Sequence, residues 1–291
     1  PLAEAAHTRN ATVLVDPSLI DEVRAMASGY RVAGKGPNTV VGTGQERAKE
    51  WLNLVEPLLS SGRAYRLPYG NADVVGAVRQ GSPRLLPKVK HALDPSNPAA
   101  HLPLAIIDPA AELDNSSFKT LAKELSPSVI LTCAASVRKG VREDSGVKII
   151  GLADTVRTGG HPQSNSDPQR RGILLSQALL MTRESIPAVT LVTTVDDVQA
   201  TAPISWLHLQ NLSTVLNGAK PGLHLPESRA GDTILKDPWW QVQHDVGIDA
   251  DGWSDLVGAS PQTASLTSAK FVSRSLSSSL KDREAWAVDV M

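Results

Sequence analysis

Cysteine is almost missing from this chain. Cys133 stands alone, so no internal disulfide and no cysteine-based zinc cluster can form. Within the apolar run SVILTC it reads as a small buried hydrophobe at a strand end, with no basic helix start beside it to make a reactive thiol. An excess of one charge is missing too. The 29 Lys plus Arg against 30 Asp plus Glu leave a formal charge of −1, which gives no global field to draw in nucleic acid or anionic lipid. Nucleic acid is therefore not an expected partner. No stretch approaches the roughly 20 apolar residues that cross a bilayer, and PLAEAAHTRN at the start lacks the apolar core of a secretory leader. The chain opens on Pro1 rather than Met and enters a strand pattern almost at once, as expected of a piece processed or excised from something longer.

Several catalytic signatures are also absent. GKGPNTVVGTG (34–44) lacks the Gly-Lys-Ser/Thr ending of a phosphate loop, and no Gly-x-Ser-x-Gly elbow occurs. A polysaccharide deacetylase holds its metal with an Asp and two His residues spaced on one helix, and there is no His-x-x-x-His here. Asp196 and Asp197 resemble the paired Asp of those enzymes but lie on the sixth predicted strand, far from where they carry it. No metal site and no cofactor are expected. A fixed-period repeat is lacking as well, which disfavours a solenoid.

What is present is a recurring strand-then-helix grammar. ATVLVD (11–16) is β-branched and runs into Asp16-Pro17-Ser18, where Asp16 or Ser18 can cap the amphipathic SLIDEVRAMASGY, with Gly29 as its stop. A Gly-rich polar connection, VAGKGPNTVVGTGQ, leads to QERAKEWLNLVEPLLSSG. There Trp51, Leu52, Val55, Leu58 and Leu59 share a face, and Pro57 is expected to kink or shorten the helix. Further units are RAYRLPYG (63–70) with a short helix capped at Asn71, HLPLAIIDP (101–109) with LDNSSFKTLAKELSP, and SPSVILTC (126–133) with a helical AASVRKGVRE. VKIIGLAD (147–154) follows, and then IPAVTLVTTVDD (186–197) between two helical stretches, the second being WLHLQNLSTVLNG (206–218).

Six β-branched runs alternating with amphipathic helices predict a mainly parallel sheet, since parallel neighbours need crossover helices. Runs such as SVILT and AVTLV read as strands covered on both faces. The fold class expected is α/β: a β/α barrel of six to eight units, possibly incomplete, over residues 1–219, with an open doubly wound sheet as the alternative. Residues 220–291 change character, gathering Trp239, Trp240, Trp253 and Trp286 with Ser-rich helical text, and are expected to pack on the barrel as a helical or irregular extension.

In such folds the working residues lie where strands end and loops begin. The predicted strand ends supply Asp16, then Tyr69, Asn71 and Asp73, then Asp108 and Glu112, then Asp154, then Asp196 and Asp197. Two carboxylates about 5 to 10 Å apart can serve a glycosidase as acid and base or nucleophile, and Asp73 and Asp108 are the candidates. The plainer reading is that an Asp before Pro or Ser is a helix cap, which accounts for Asp16 and Asp108 without any chemistry. His161 sits in the long loop TVRTGGHPQSNSD, placed as a lid or binding loop would be. Trp239 and Trp240 either stack on sugar rings or pack in a core.

The succession VDPSLIDEVRAMASGYRV, KEWLNLV, RLPYGNADVVGAVR, LAIIDPAAELDNSSFKTLA and SVILT is similar to the central domain of a family of large actinobacterial, including mycobacterial, membrane-anchored proteins of unknown function. Their genes neighbour that of the MurJ/MviN-type lipid II flippase. The likeness spans roughly residues 11–218 and is most specific over the first 80. It implies an extracytoplasmic domain with a barrel like those of glycoside hydrolases and polysaccharide deacetylases, flanked in the parent protein by β-sandwich domains and a transmembrane helix.

The chain departs from that family's pattern at two places. Where the family carries Pro-Tyr, a small residue and Asp-Pro-Asp, this sequence reads Pro68-Tyr69-Gly70-Asn71-Ala72-Asp73, keeping only the last Asp. Where the family has Trp-Pro before an acidic loop, it reads Ile107-Asp108-Pro109. The expectation is a non-catalytic cell-envelope module that binds a cell-wall glycan or a flippase-type membrane protein. A glycoside hydrolase using two rim carboxylates is the alternative, and a pure interaction scaffold the third.

Overall fold

The computed structural model describes residues 11–33, 39–79, 81, 83–108, 113–132, 140–151, 210–223 and 225. Strand β1 (Val13–Val15) leads into helix α1 (Pro17–Ser28). Asp16 is the cap, with extended backbone and its carboxylate accepting from Ser18 N–H, while Pro17 occupies the first helical turn, where a missing N–H costs nothing. Strands β2 (Arg31–Ala33) and β3 (Thr39–Val41) follow, then α2 (Gln45–Leu59), β4 (Ala64–Arg66), and a 3-10 turn at Tyr69–Asn71. Next come α3 (Val74–Arg79), α4 (Leu85–His91), a second 3-10 turn at Pro98–His101, β5 (Ala105–Asp108), α5 (Asn115–Leu125) and β6 (Val129–Thr132). The last described elements are β7 (Arg142–Asp144), β8 (Val147–Gly151), α6 (Leu212–Leu216) and β9 (Lys220–Pro221).

The protein is a mixed α/β structure with parallel and mixed sheets. β1 pairs with β4 in parallel, β5 with β6 and β6 with β8 likewise, and a single parallel bridge between Arg66 and Leu104 joins β4 to the approach of β5. The parallel strands β1, β4, β5, β6 and β8 thus follow chain order, and beyond β8 the sheet continues through β7, antiparallel to it, to β9. The register Ile106–Ile130–Ile149 puts these three side chains on one face, with Phe118, Leu121 and Leu125 of α5 and the apolar residues of α3 and α4 packed on it. Val13, Val15 and Ala64 turn the same way, toward α1 and α2. The alternate residues Ala105, Val129, Leu131, Ile150 and Tyr65 form a separate cluster on the opposite face, joined by Leu212 and Leu216 of α6. Helices α1 to α5 therefore cover one face, and strands buried on both sides explain the unbroken apolar text. The described strands do not close on themselves.

Several local expectations need correction. The Gly-rich connection after α1 contains the antiparallel hairpin β2–β3, held by Arg31, whose guanidinium donates to Thr39 Oγ1 (2.7 Å) and Thr39 O (2.9 Å). The end of AASVRKGVRE is strand rather than helix: Arg142–Asp144 pairs antiparallel with β8 across Ser145-Gly146. Both turn residues have positive φ (52° and 76°), the signature of the two-residue hairpin turn whose twist matches its strands. Helix α2 passes through Pro57 and ends at Leu59. Asn71 does not cap α3, because it lies in the 3-10 turn with φ 50°; Asp73, directly before the helix, takes the N–H of Gly76 instead. Lys220 and Pro221 pair with β7, and Leu223 and Leu225 pack partly buried against the core. Cys133, the predicted strand 186–197 and the tryptophans beyond residue 225 lie outside the described residues.

Candidate functional site

Because β1, β4, β5 and β6 run the same way, their trailing ends share one edge of the sheet. That edge carries Asp16 after β1, the segment from Leu67 to Asp73 after β4, Asp108 at the end of β5 and Thr132 at the end of β6. Glu112, Asp154, His161, Asp196 and Asp197 lie outside the described residues.

Asp16 ties two elements together. Its Oδ1 accepts from Ser18 N–H (2.9 Å) and Gly70 N–H (2.9 Å), and its Oδ2 from the Ser18 hydroxyl (2.8 Å). Burial raises its carboxyl above the ordinary aspartate value, against the pull of these bonds to Ser18, Gly70 and Asn71. Tyr69 is buried beneath the same segment, its hydroxyl donating to Asp21 Oδ2 (3.3 Å). Burial first, and the negative charge of Asp21 second, push the phenol up to about 12. Asp21 Oδ1 in turn accepts from Asn97 Nδ2 (2.8 Å), which also donates to Pro17 O (2.9 Å), while Asn97 Oδ1 caps Ala99 N–H (2.8 Å). Tyr69, expected on the strand-end rim, is thus one member of a buried polar network beneath α1.

Asp108 is 2% exposed. Its Oδ2 accepts from the Thr132 hydroxyl (2.6 Å), bridging two strand ends, and from Leu113 N–H (3.0 Å). Asp73 Oδ1 accepts from Gly76 N–H (2.8 Å), and its carboxylate lies over Gly76 so closely that a Cβ there would collide with it. Burial raises the Asp73 carboxyl, the Gly76 bond lowers it, and the charge of Asp108 raises it further. The two carboxylates singled out from the sequence are therefore electrostatic neighbours. Asn71, by contrast, is an exposed turn residue.

Sequence reasoning passed over Asp21, Asn97, Thr132 and Gly76. Asn97-Pro98 carried a signal, being a capping residue directly before a proline. Thr132 was legible only as the last polar residue of an apolar strand, and nothing local distinguishes Gly76 or Asp21. Among the described residues no group of three or more His, Cys, Asp or Glu is placed to hold a metal ion, and no helix is long and apolar enough to cross a membrane. An apolar hollow of about 590 Å³ opens between α1 and α2, lined by Leu19, Val23, Met26, Arg47, Ala48 and Trp51, and none of the strand-end carboxylates borders it. Comparison of the sequence with protein-family models and with curated proteins yields no match in either.

Proposed function

We propose that the chain is an extracytoplasmic cell-envelope module, built on a β/α barrel, whose strand-end rim binds a cell-wall glycan or a membrane-protein partner without hydrolysing it. The observation that carries this reading is the commitment of the rim carboxylates: Asp16, Asp73 and Asp108 each spend an oxygen on a backbone N–H, and Asp16 and Asp108 each take a hydroxyl as well. Carboxylates so engaged stiffen the loops at the strand ends, and Asp108, almost wholly buried, is withdrawn from the surface a sugar would meet. The barrel is supported by the chain-ordered parallel strands and by helices α1 to α5 lying on one face. A doubly wound sheet would reverse the order of its parallel strands and carry crossover helices on both faces, and of the described helices only α6 lies on the opposite face. The choice of a wall glycan or a flippase-type protein rests on the resemblance stated above.

One observation favours a second reading, a glycoside hydrolase. Asp73 has a raised carboxyl and Asp108 stands near it, and two carboxyl groups held in different environments are the arrangement from which a general acid and its partner are made. The test is to incubate purified cell-wall polysaccharides with wild type, Asp73→Asn and Asp108→Asn, following both reducing ends and binding. Binding without turnover is the expected result. Turnover by wild type that either substitution abolishes would overturn the binding module in favour of the hydrolase, and absence of both binding and turnover would remove glycan as the ligand.

A further inference from the structure

We infer that Asp16 is a positioning residue for the rim: by holding Gly70 it sets where the segment after β4 delivers Asp73 against Asp108. The geometry separates two functions within one carboxylate. Capping α1 needs only the Ser18 N–H, which a shorter hydroxyl side chain could also satisfy. The bond from Gly70 N–H to the same oxygen does nothing for the helix and crosses 54 positions of sequence. It grips the middle of the 3-10 turn Tyr69–Asn71, whose Gly70 and Asn71 both have positive φ (70° and 50°). Asn71 N–H closes that turn on Pro68 O (2.8 Å), and Val74 N–H closes the next on Ala72 O (2.9 Å). Little slack remains between the gripped Gly70 and the Asp73 carboxylate, seated over Gly76.

Protonation should not release this grip. A neutral carboxyl keeps its carbonyl oxygen for Ser18 N–H and Gly70 N–H, and its new O–H can donate to the Ser18 hydroxyl oxygen, reversing the present bond. No charged group is among the causes that shift Asp16 itself, and its own charge joins those of Asp21 and Glu22 in acting on Tyr69 of the turn. Tyr69 is engaged with Asp21, and Arg24 is turned away to Ser96 O (3.1 Å). An asparagine, with the same shape and no charge, mimics the protonated state. This inference deepens the reading of the rim given above, and its test uses no ligand, so its failure is distinct from failure of glycan binding.

The experiment is a carboxyl-carbon NMR titration of the full chain in wild type, Asp16→Ser and Asp16→Asn. Asp16→Ser keeps a helix cap but is too short to hold Gly70 as well. The Asp73 midpoint is expected to fall back toward the ordinary aspartate value in Asp16→Ser, as the freed loop admits water, and to stay raised in Asp16→Asn. An Asp73 midpoint unchanged in Asp16→Ser, or displaced equally in both variants, overturns the inference. Should Asp16→Ser fail to fold, the wild type still decides: the Gly70 amide proton must follow the Asp16 titration, and a Gly70 signal indifferent to it overturns the staple.

Discussion

β-Branched residues recur in both the β5–β6–β8 sheet and the β2–β3 hairpin, but their surroundings differ sharply. Val129, Ile130, Ile149 and Ile150 are fully buried, whereas Val40 and Val41 are 51% and 69% exposed. β-branched side chains stiffen an extended backbone in either place. Only in the sheet do they also leave water, and it is this burial, worth about 1.5–3 kcal/mol for each large side chain, that makes one region a framework and the other an appendage. The hairpin is held by polar means, chiefly the Arg31 fork on Thr39 and the Tyr30 hydroxyl accepting from Gly44 N–H (3.2 Å).

The sharpest way to break this contrast is Phe118→Ala. Phe118 is 1% exposed at the centre of the cluster joining α5 to Ile106, Ile130 and Ile149, so its truncation should cost about 3–5 kcal/mol in a denaturant titration. A loss under about 1 kcal/mol would mean the sheet is not the framework. Gly42→Ala comes next. A Cβ at Gly42 would collide with the Tyr30 ring, so about 1–3 kcal/mol of overpacking is expected, read as a lowered melting temperature. That cost would show the hairpin to be tightly fitted at one point despite its exposed valines.

Smaller, and visible only through its pH dependence, is Asp73→Asn. A carboxyl raised on folding contributes stability that is present below its unfolded value and is lost as pH rises through its folded value. The variant should therefore match wild type in acid and be the more stable near pH 7, and paired denaturation curves at the two pH values check the sign. An opposite sign would mean that Asp73 gains more from its bond to Gly76 than it loses by burial. The smallest effect belongs to Val41→Thr, which should change stability by no more than about 0.5 kcal/mol by the same titration.

The strand-then-helix grammar was legible wherever burial imposed it. β1, β5, β6 and β8 fall within the apolar runs, and α1, α2 and α5 within the periodic segments, because a core reads side-chain pattern directly. The hairpin β2–β3 was not legible, since it is held by Arg31 and Tyr30 rather than by an apolar face. β7 was missed because Ser145-Gly146 is a weaker hairpin signal than Asn-Gly and the preceding text has helical composition. At the candidate site, Asp16, Asp73 and Asp108 were found by their position at strand ends. Their distant partners were not, because Gly70 approaches Asp16 across 54 positions and Thr132 approaches Asp108 across 24, just as Asn97 reaches Asp21 across 76.

The joint at Arg66 sets how the molecule would come apart. Between β4 and β5 there is one backbone bridge, to Leu104, in which Arg66 N–H donates to Pro103 O (3.0 Å), supplemented by the Arg66 guanidinium on Leu102 O (3.1 Å), where other parallel neighbours share a full ladder. On one side, β1 and β4 have their own apolar cluster with α1 and α2; on the other lies the larger sheet. What resists parting at Arg66 is therefore buried apolar contact rather than a hydrogen-bonded ladder: Tyr65 of β4 and Leu14 of β1 pack with Ala105, Val129, Leu131 and Ile150 on the far side of the seam.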